Sequence, residues 1–183
     1  MAEATRLAHR ALELDPGFGR AAALGICHMQ SVIWGYAIDP QVERNEAVRL
    51  LRLALSKDDS DPDTLARGGS ILAFMVGDCE SSNELADRAV ALNPNSFLVW
   101  MARGWVYRVG GLPEEAIRSF ERAVRMSPVD PQLHQPFAGM GPAFIELRRF
   151  DEAIVAGKKA QRQNPSFFAS LPLSRVRFRP SRT

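Results

Sequence analysis

The chain has 183 residues, 46% of them hydrophobic, which is enough for one buried core or a short repeat array and excludes disorder as its overall state. Its formal net charge of +2 rests on a basic end, because Arg175, Arg177, Arg179 and Arg182 fall in the last nine residues and without them acids outnumber Lys and Arg. The near-neutral body lacks the basic face that a nucleic-acid interface uses to neutralise phosphates, so no nucleic-acid partner is expected.

The first residues, MAEATRLAHRALELDP, form an amphipathic charged helix without the apolar core and cleavage site of a secretory signal. No stretch approaches the roughly 18 apolar residues of a membrane span, so no membrane partner is expected. Cys27 and Cys79 have no paired spacing, which suggests neither a disulfide framework nor a zinc site and fits a reducing compartment. A soluble, cytoplasmic protein is expected.

Five segments end alike, with small residues at helical spacing followed by a breaker: ALELDP to Pro16, ALSKDD to Asp59, AVALNP to Pro94, AVRMSP to Pro128 and AQRQNP to Pro165. In chain order they divide residues 1–168 into a leading half repeat at 1–16 and helix pairs at about 17–60, 61–96, 97–130 and 131–168. Ala4, Ala8 and Ala11 suit the second helix of a pair whose first helix is absent, so the chain is expected to begin inside a repeat and to derive from a longer protein. The pair at 17–60 is about ten residues too long, with the excess near SVIWGYAIDP, so a longer first helix or a larger loop is expected there. The pair at 61–96 keeps Ser70, Ser82, Ala86 and Ala89 at small positions and lacks aromatics at the places where 97–130 has Trp100, Tyr107 and Phe120.

The segment 97–130 is the most complete. Trp100, Gly104, Tyr107, Ala116, Phe120, Ala123 and Pro128 stand at successive spacings of 4, 3, 9, 4, 3 and 5. Small residues at Gly104 and Ala116 let two antiparallel helices cross at the roughly 8–10 Å of close packing, while the three aromatics fill the space beside them. Gly110-Gly111 ends the first helix through a left-handed cap. Pro113, Glu114 and Glu115 suit the start of the second. In 131–168, Phe137, Gly141, Phe144, Ala153, Ala160 and Pro165 fall at corresponding places, but Gly157 replaces the large residue and Pro131 to Pro136 adds about three residues. After them, residues 169–183 contain Pro172 and Pro180 and no helical apolar stripe, so an irregular basic tail is expected, without a capping helix. The uncapped ends are expected to pack on the tail or on another copy.

These spacings resemble the tetratricopeptide repeat, departing from it at Arg103, where the family usually has Leu; a charged stem lying along the inter-helix groove is expected. The WGYAIDP insertion followed by the region from Leu65 to Pro131 also looks like the C-terminal repeat region of bacterial multidomain proteins that carry an adenylate/guanylate cyclase domain or a winged-helix regulator. No cyclase or DNA-binding segment is present, so neither activity carries over. The resemblance implies an all-α, right-handed superhelical solenoid of about four helix pairs. It also implies a protein-protein interaction scaffold that takes a protein or peptide in the concave groove lined by first helices. The alternative is an oligomerisation or spacer module.

On that alignment the groove residues are Arg67, Ile71 and Phe74, then Met101, Trp105 and Arg108, then Gln135 and Ala138. Trp and Arg side by side suit an interface anchor, or else Trp105 packs on the adjacent helix and Arg108 is simply solvated. The Lys and Asn clamp by which some relatives hold a carboxylate is not recognisable, although Arg67 and Arg108 suit an acidic peptide. Cys27 and His28 are adjacent and point about 100° apart on a helix, and His9 and His134 lack neighbours, so no metal or cofactor is expected. Glu114-Glu115 and Asp151-Glu152 read as helix starts, and Gly68-Gly69 as packing glycines. No nucleophile, base and orienting group stand together, so the chain is not expected to be an enzyme.

Overall fold

The computed structural model describes residues 10 and 18–166; the leading half repeat except Arg10, with His9, and the tail 169–183 lie outside the described residues. Among the described residues eight α-helices follow one another: α1 (Phe18–Ile33), α2 (Pro40–Lys57), α3 (Pro62–Ile71), α4 (Cys79–Leu92), α5 (Phe97–Val109), α6 (Pro113–Met126), α7 (His134–Glu146) and α8 (Phe150–Gln163). They pair in sequence as antiparallel hairpins, and no strand occurs among the described residues. None of these helices is long and apolar enough to cross a membrane.

Local chemistry sets the helix ends. Asp39 accepts from the amides of Gln41 and Val42 and is followed by Pro40 at the first helical position. Asp61 caps α3 through the Thr64 amide at 2.8 Å, Asp78 caps α4 through Ser81 at 3.0 Å, and Ser96 caps α5 through Val99 at 3.3 Å. Each bond satisfies a donor that the first helical turn cannot. The first helix of the third pair ends as the Gly-Gly step requires: Gly111 has φ +74°, and the Leu112 amide reaches back to the Tyr107 carbonyl.

Packing follows the small-residue pattern. Ala116, Ile117, Phe120 and Ala123 form the buried stripe of α6. A Cβ on Gly104 would lie 2.5 Å from the Phe120 ring, so the close approach expected at Gly104 is a glycine against an aromatic face. Gly139 of α7 presses the same ring just as closely, and Phe120 is wholly buried between the two glycines. Ser70, Ser82, Ala86 and Ala89 are buried at their small positions, and Gly68 and Gly69 are held against Leu51, Leu85 and the Ser82 carbonyl. In the last pair Gly141 is buried, yet a Cβ there would touch nothing within 4 Å, and the same is true of Gly157.

The excess of the long pair is shared out. The first helix has 16 residues against 13 in α5, the loop 34–39 replaces a much shorter one, and α2 has 18 residues against 14 in α6. A feature without a sequence signal is a π-helical turn at Leu72–Val76 that continues α3. Arg44 of α2 donates to the carbonyls of Phe74 (3.4 Å) and Met75 (3.1 Å), satisfying acceptors left at that end.

First helices of successive pairs pack side by side, and each second helix also rests on the first helix of the next pair. Second helices make no comparable contact with one another. The stack therefore has a continuous inner layer, α1, α3, α5 and α7, and an outer layer separated by clefts.

Candidate functional site

The inner layer gathers part of the expected groove. Phe74, in the π-turn after α3, and Trp105 of α5 place their ring centroids 6.2 Å apart at 59°. Trp105 also meets Phe120 edge-on at 5.4 Å, so it is anchored from below while staying partly exposed. Arg108 is ion-paired to Glu146 of α7 at 2.9 Å, its side chain 26% exposed. An aromatic pair and an ion pair thus span three successive first helices.

Other expected members stand apart. Ile71 is wholly buried in the core and Met101 nearly so, which removes most of their surface from the inner face. Arg67 and Ala138 are half-buried, and Gln135 bonds to Gln132 at 3.4 Å. Arg108 is not a simply solvated arginine, because Glu146 already compensates its charge.

Arg103 takes the place of the usual Leu, and its guanidinium is engaged on two sides. Its Nε donates to Asp87 Oδ1 at 2.7 Å and its Nη1 to Ser119 Oγ at 2.6 Å, while the guanidinium carbon lies 4.1 Å from the Tyr107 ring centroid. The Tyr107 hydroxyl donates to Asp87 Oδ2 at 2.8 Å, and burial followed by that acceptor pushes the phenol above its ordinary pKa. This network joins α4, α5 and α6 where an apolar contact was the family norm.

The outer clefts were not foreseen. One lies between α4 and α6 over α5, with a volume of about 470 Å³, and includes Trp100, Arg103, Arg118, Arg122 and Arg125. The other lies between α6 and α8 over α7, about 540 Å³, with Val124, Phe137, Met140, Phe144 and Val155 in its walls. The signal for the first was present in the sequence, since Arg118, Arg122 and Arg125 repeat at helical spacing on one face of α6.

Groups that suggest chemistry have structural partners. His28 is buried and bonds to Glu43 of α2, while Cys27 is half-buried beside it. Glu115 pairs with Arg118, and Glu152 pairs with Arg149, whose hydrogen bond holds the Glu152 carboxyl below its ordinary pKa. Burial holds the His134 imidazole below its ordinary value. Among the described residues no group of three or more His, Cys, Asp or Glu is placed to hold a metal ion.

Residues 70–131 match the family profile described as Tetratricopeptide repeat. No curated protein matches the chain. Among solved structures, MamA is 23% identical with a TM-score of 0.57, over 91% of this chain and 90% of that one. PilF of Pseudomonas aeruginosa is 19% identical with a TM-score of 0.66, over 86% and 67%. YrrB, described as a TPR protein with an unusual peptide-binding site, is 20% identical with a TM-score of 0.57, over 93% and 81%. The chain is thus an all-α solenoid of tetratricopeptide type, with the repeat signature itself carried by residues 70–131.

Proposed function

We propose that the chain is a protein-interaction scaffold whose inner face receives a segment of a partner protein. The observation that carries this reading is the Phe74–Trp105 pair, contributed by successive first helices, partly exposed and flanked by the Arg108–Glu146 ion pair. Aromatics fixed from beneath lose little entropy on binding and dominate interface energetics. YrrB, which shares the fold, has a peptide-binding site, and that supports a peptide or protein as the occupant. The reading assigns the chain no catalysis. It places the chain in a cytoplasmic setting, as the repeat region of a larger bacterial signalling protein with an enzymatic or transcriptional domain.

The test is a pull-down from source-cell lysate with this chain as bait, beside Trp105→Ala/Arg108→Ala with its helicity checked by circular dichroism. Loss of a captured protein from the folded variant supports the inner face; identical capture by both overturns it.

A second reading, assembly, is favoured by a particular observation. Ile145, Phe150, Ile154 and Val155 of the last pair are each more than half exposed, and exposed apolar side chains grouped on one element pair favour association. Sedimentation velocity across a concentration series separates the two: growth in mass that stops on Phe150→Ser/Ile154→Ser favours assembly.

A further inference from the structure

The outer cleft between α4 and α6 differs from the inner face in chemistry. Its floor is Trp100 of α5, with Val90 and Ala91 of α4 alongside, and its α6 wall carries Arg118, Arg122 and Arg125. Its volume of about 470 Å³ falls in the roughly 300–1,000 Å³ range of ligand sites.

The carboxylates within it are committed. Asp87 accepts from Arg103 Nε and from the Tyr107 hydroxyl, and Glu115 accepts from Arg118 and lies 3.9 Å from Arg103. Arg122 and Arg125 form no ion pair among the described residues. The cleft therefore presents Arg122 and Arg125 without an ion-pair partner beside an apolar floor, Arg125 being shared with the more acidic cleft over α7. Trp100 is fixed by its Nε1 donating to the Pro94 carbonyl at 2.8 Å, so its π system rather than its N–H faces the arginines. The guanidinium carbons of Arg103 and Arg122 lie 5.8 and 6.0 Å from the Trp100 ring centroid, within cation–π range. That contact orients planar donors suited to bidentate capture of carboxylate.

The outer cleft over α7 provides a contrast. There Glu121, Asp151 and Glu152 stand among Arg125 and Lys159, so an anion meets no net attraction. Two free arginines also fall short of the several phosphate contacts on which nucleic-acid binding rests.

We propose that the cleft over Trp100 is a second docking site, separate from the inner face, for an acidic peptide segment. Its carboxylates would pair with Arg122 and Arg125, and an apolar side chain would rest on Trp100, Val90 and Ala91.

The test uses the full chain and fluorescence anisotropy, with a short labelled peptide alternating Glu and Leu, its Gln-for-Glu counterpart, and a labelled oligothymidylate. The Glu peptide is expected to bind about tenfold tighter than the Gln peptide, more weakly as salt rises, and about tenfold less tightly to Arg122→Gln/Arg125→Gln. Arg49→Gln, an exposed arginine of α2 paired to Glu46 and lining neither site, is expected to leave this binding unchanged. An NMR titration supplies a second readout independent of the arginine variants: the Trp100 indole resonance, identified by its loss in Trp100→Phe, should shift on adding the Glu peptide. The proposal is overturned by no binding, by equal binding of the Glu and Gln peptides, by loss in Arg49→Gln instead of the α6 pair, or by an unmoved indole. Tighter binding of the oligonucleotide through the same arginines would assign the cleft to nucleic acid instead.

Discussion

The third and fourth helix pairs follow the same residue spacing and are built to different standards. Between α5 and α6, Gly104 is filled by Phe120, the first helix is capped by Ser96, and its end turns through Gly111. Between α7 and α8, Gly141 and Gly157 both face open space, α7 lacks a side-chain cap and contains Pro142, and its end turns through Arg148 at φ +58°. A small residue at a crossing stabilises only when a large one occupies the space it leaves. The fourth pair keeps the spacing without the filling, and its best contact is borrowed: Gly139 closes on Phe120 of the pair before it.

That contrast predicts where the array gives way. Phe120→Ala empties a site enclosed by both neighbouring first helices, and a loss of about 3–5 kcal/mol is expected by urea denaturation. Gly139→Ala drives a methyl group into the same ring, so a loss of about 1–3 kcal/mol is expected. If Gly139→Ala proved neutral, the junction between the pairs would be looser than described.

Arg148→Gly should go the other way. It relieves a left-handed residue bearing a Cβ at no contact cost, and a gain of about 0.5–1 kcal/mol is expected in a thermal melt. A smaller effect concerns His134, whose folded pKa is depressed by burial. A base depressed in the folded state supports stability above its unfolded value of about 6.5, and that support is lost as pH falls from there toward the folded value. Stability should therefore decline below about pH 6.5 more steeply in the parent than in His134→Gln.

Much of this was legible because helix crossings write themselves as large and small residues at fixed spacing. Trp100 to Pro128 marked one pair, and the buried Ser70, Ser82, Ala86 and Ala89 matched their small positions without an aromatic at the signature's Trp, Tyr and Phe places. The role of Gly139 was not legible: spacing pointed to Gly141, and only the position of Phe120 across the junction shows which glycine is pressed. The π-turn was hidden for a similar reason, since Arg44, which takes up its carbonyls, is 31 residues from Met75. The inner-face candidates divided by burial, which periodicity alone does not fix: Ile71 and Met101 joined the core while Phe74 and Trp105 kept open surface. The outer clefts come from second helices that do not touch one another, a property of the stack rather than of any one repeat.

The most direct measurement compares Gly104→Ala with Gly157→Ala by thermal denaturation. Gly157 is the cleaner probe of the open crossing because Gly141 precedes Pro142, where any Cβ is disfavoured in a helix. Gly104→Ala should lose about 1–3 kcal/mol against the Phe120 ring, and Gly157→Ala should gain about 0.5–1 kcal/mol from helix propensity in open space. Opposite signs are the predicted result; shifts of the same sign and similar size would contradict the claim that one crossing is filled and the other is not.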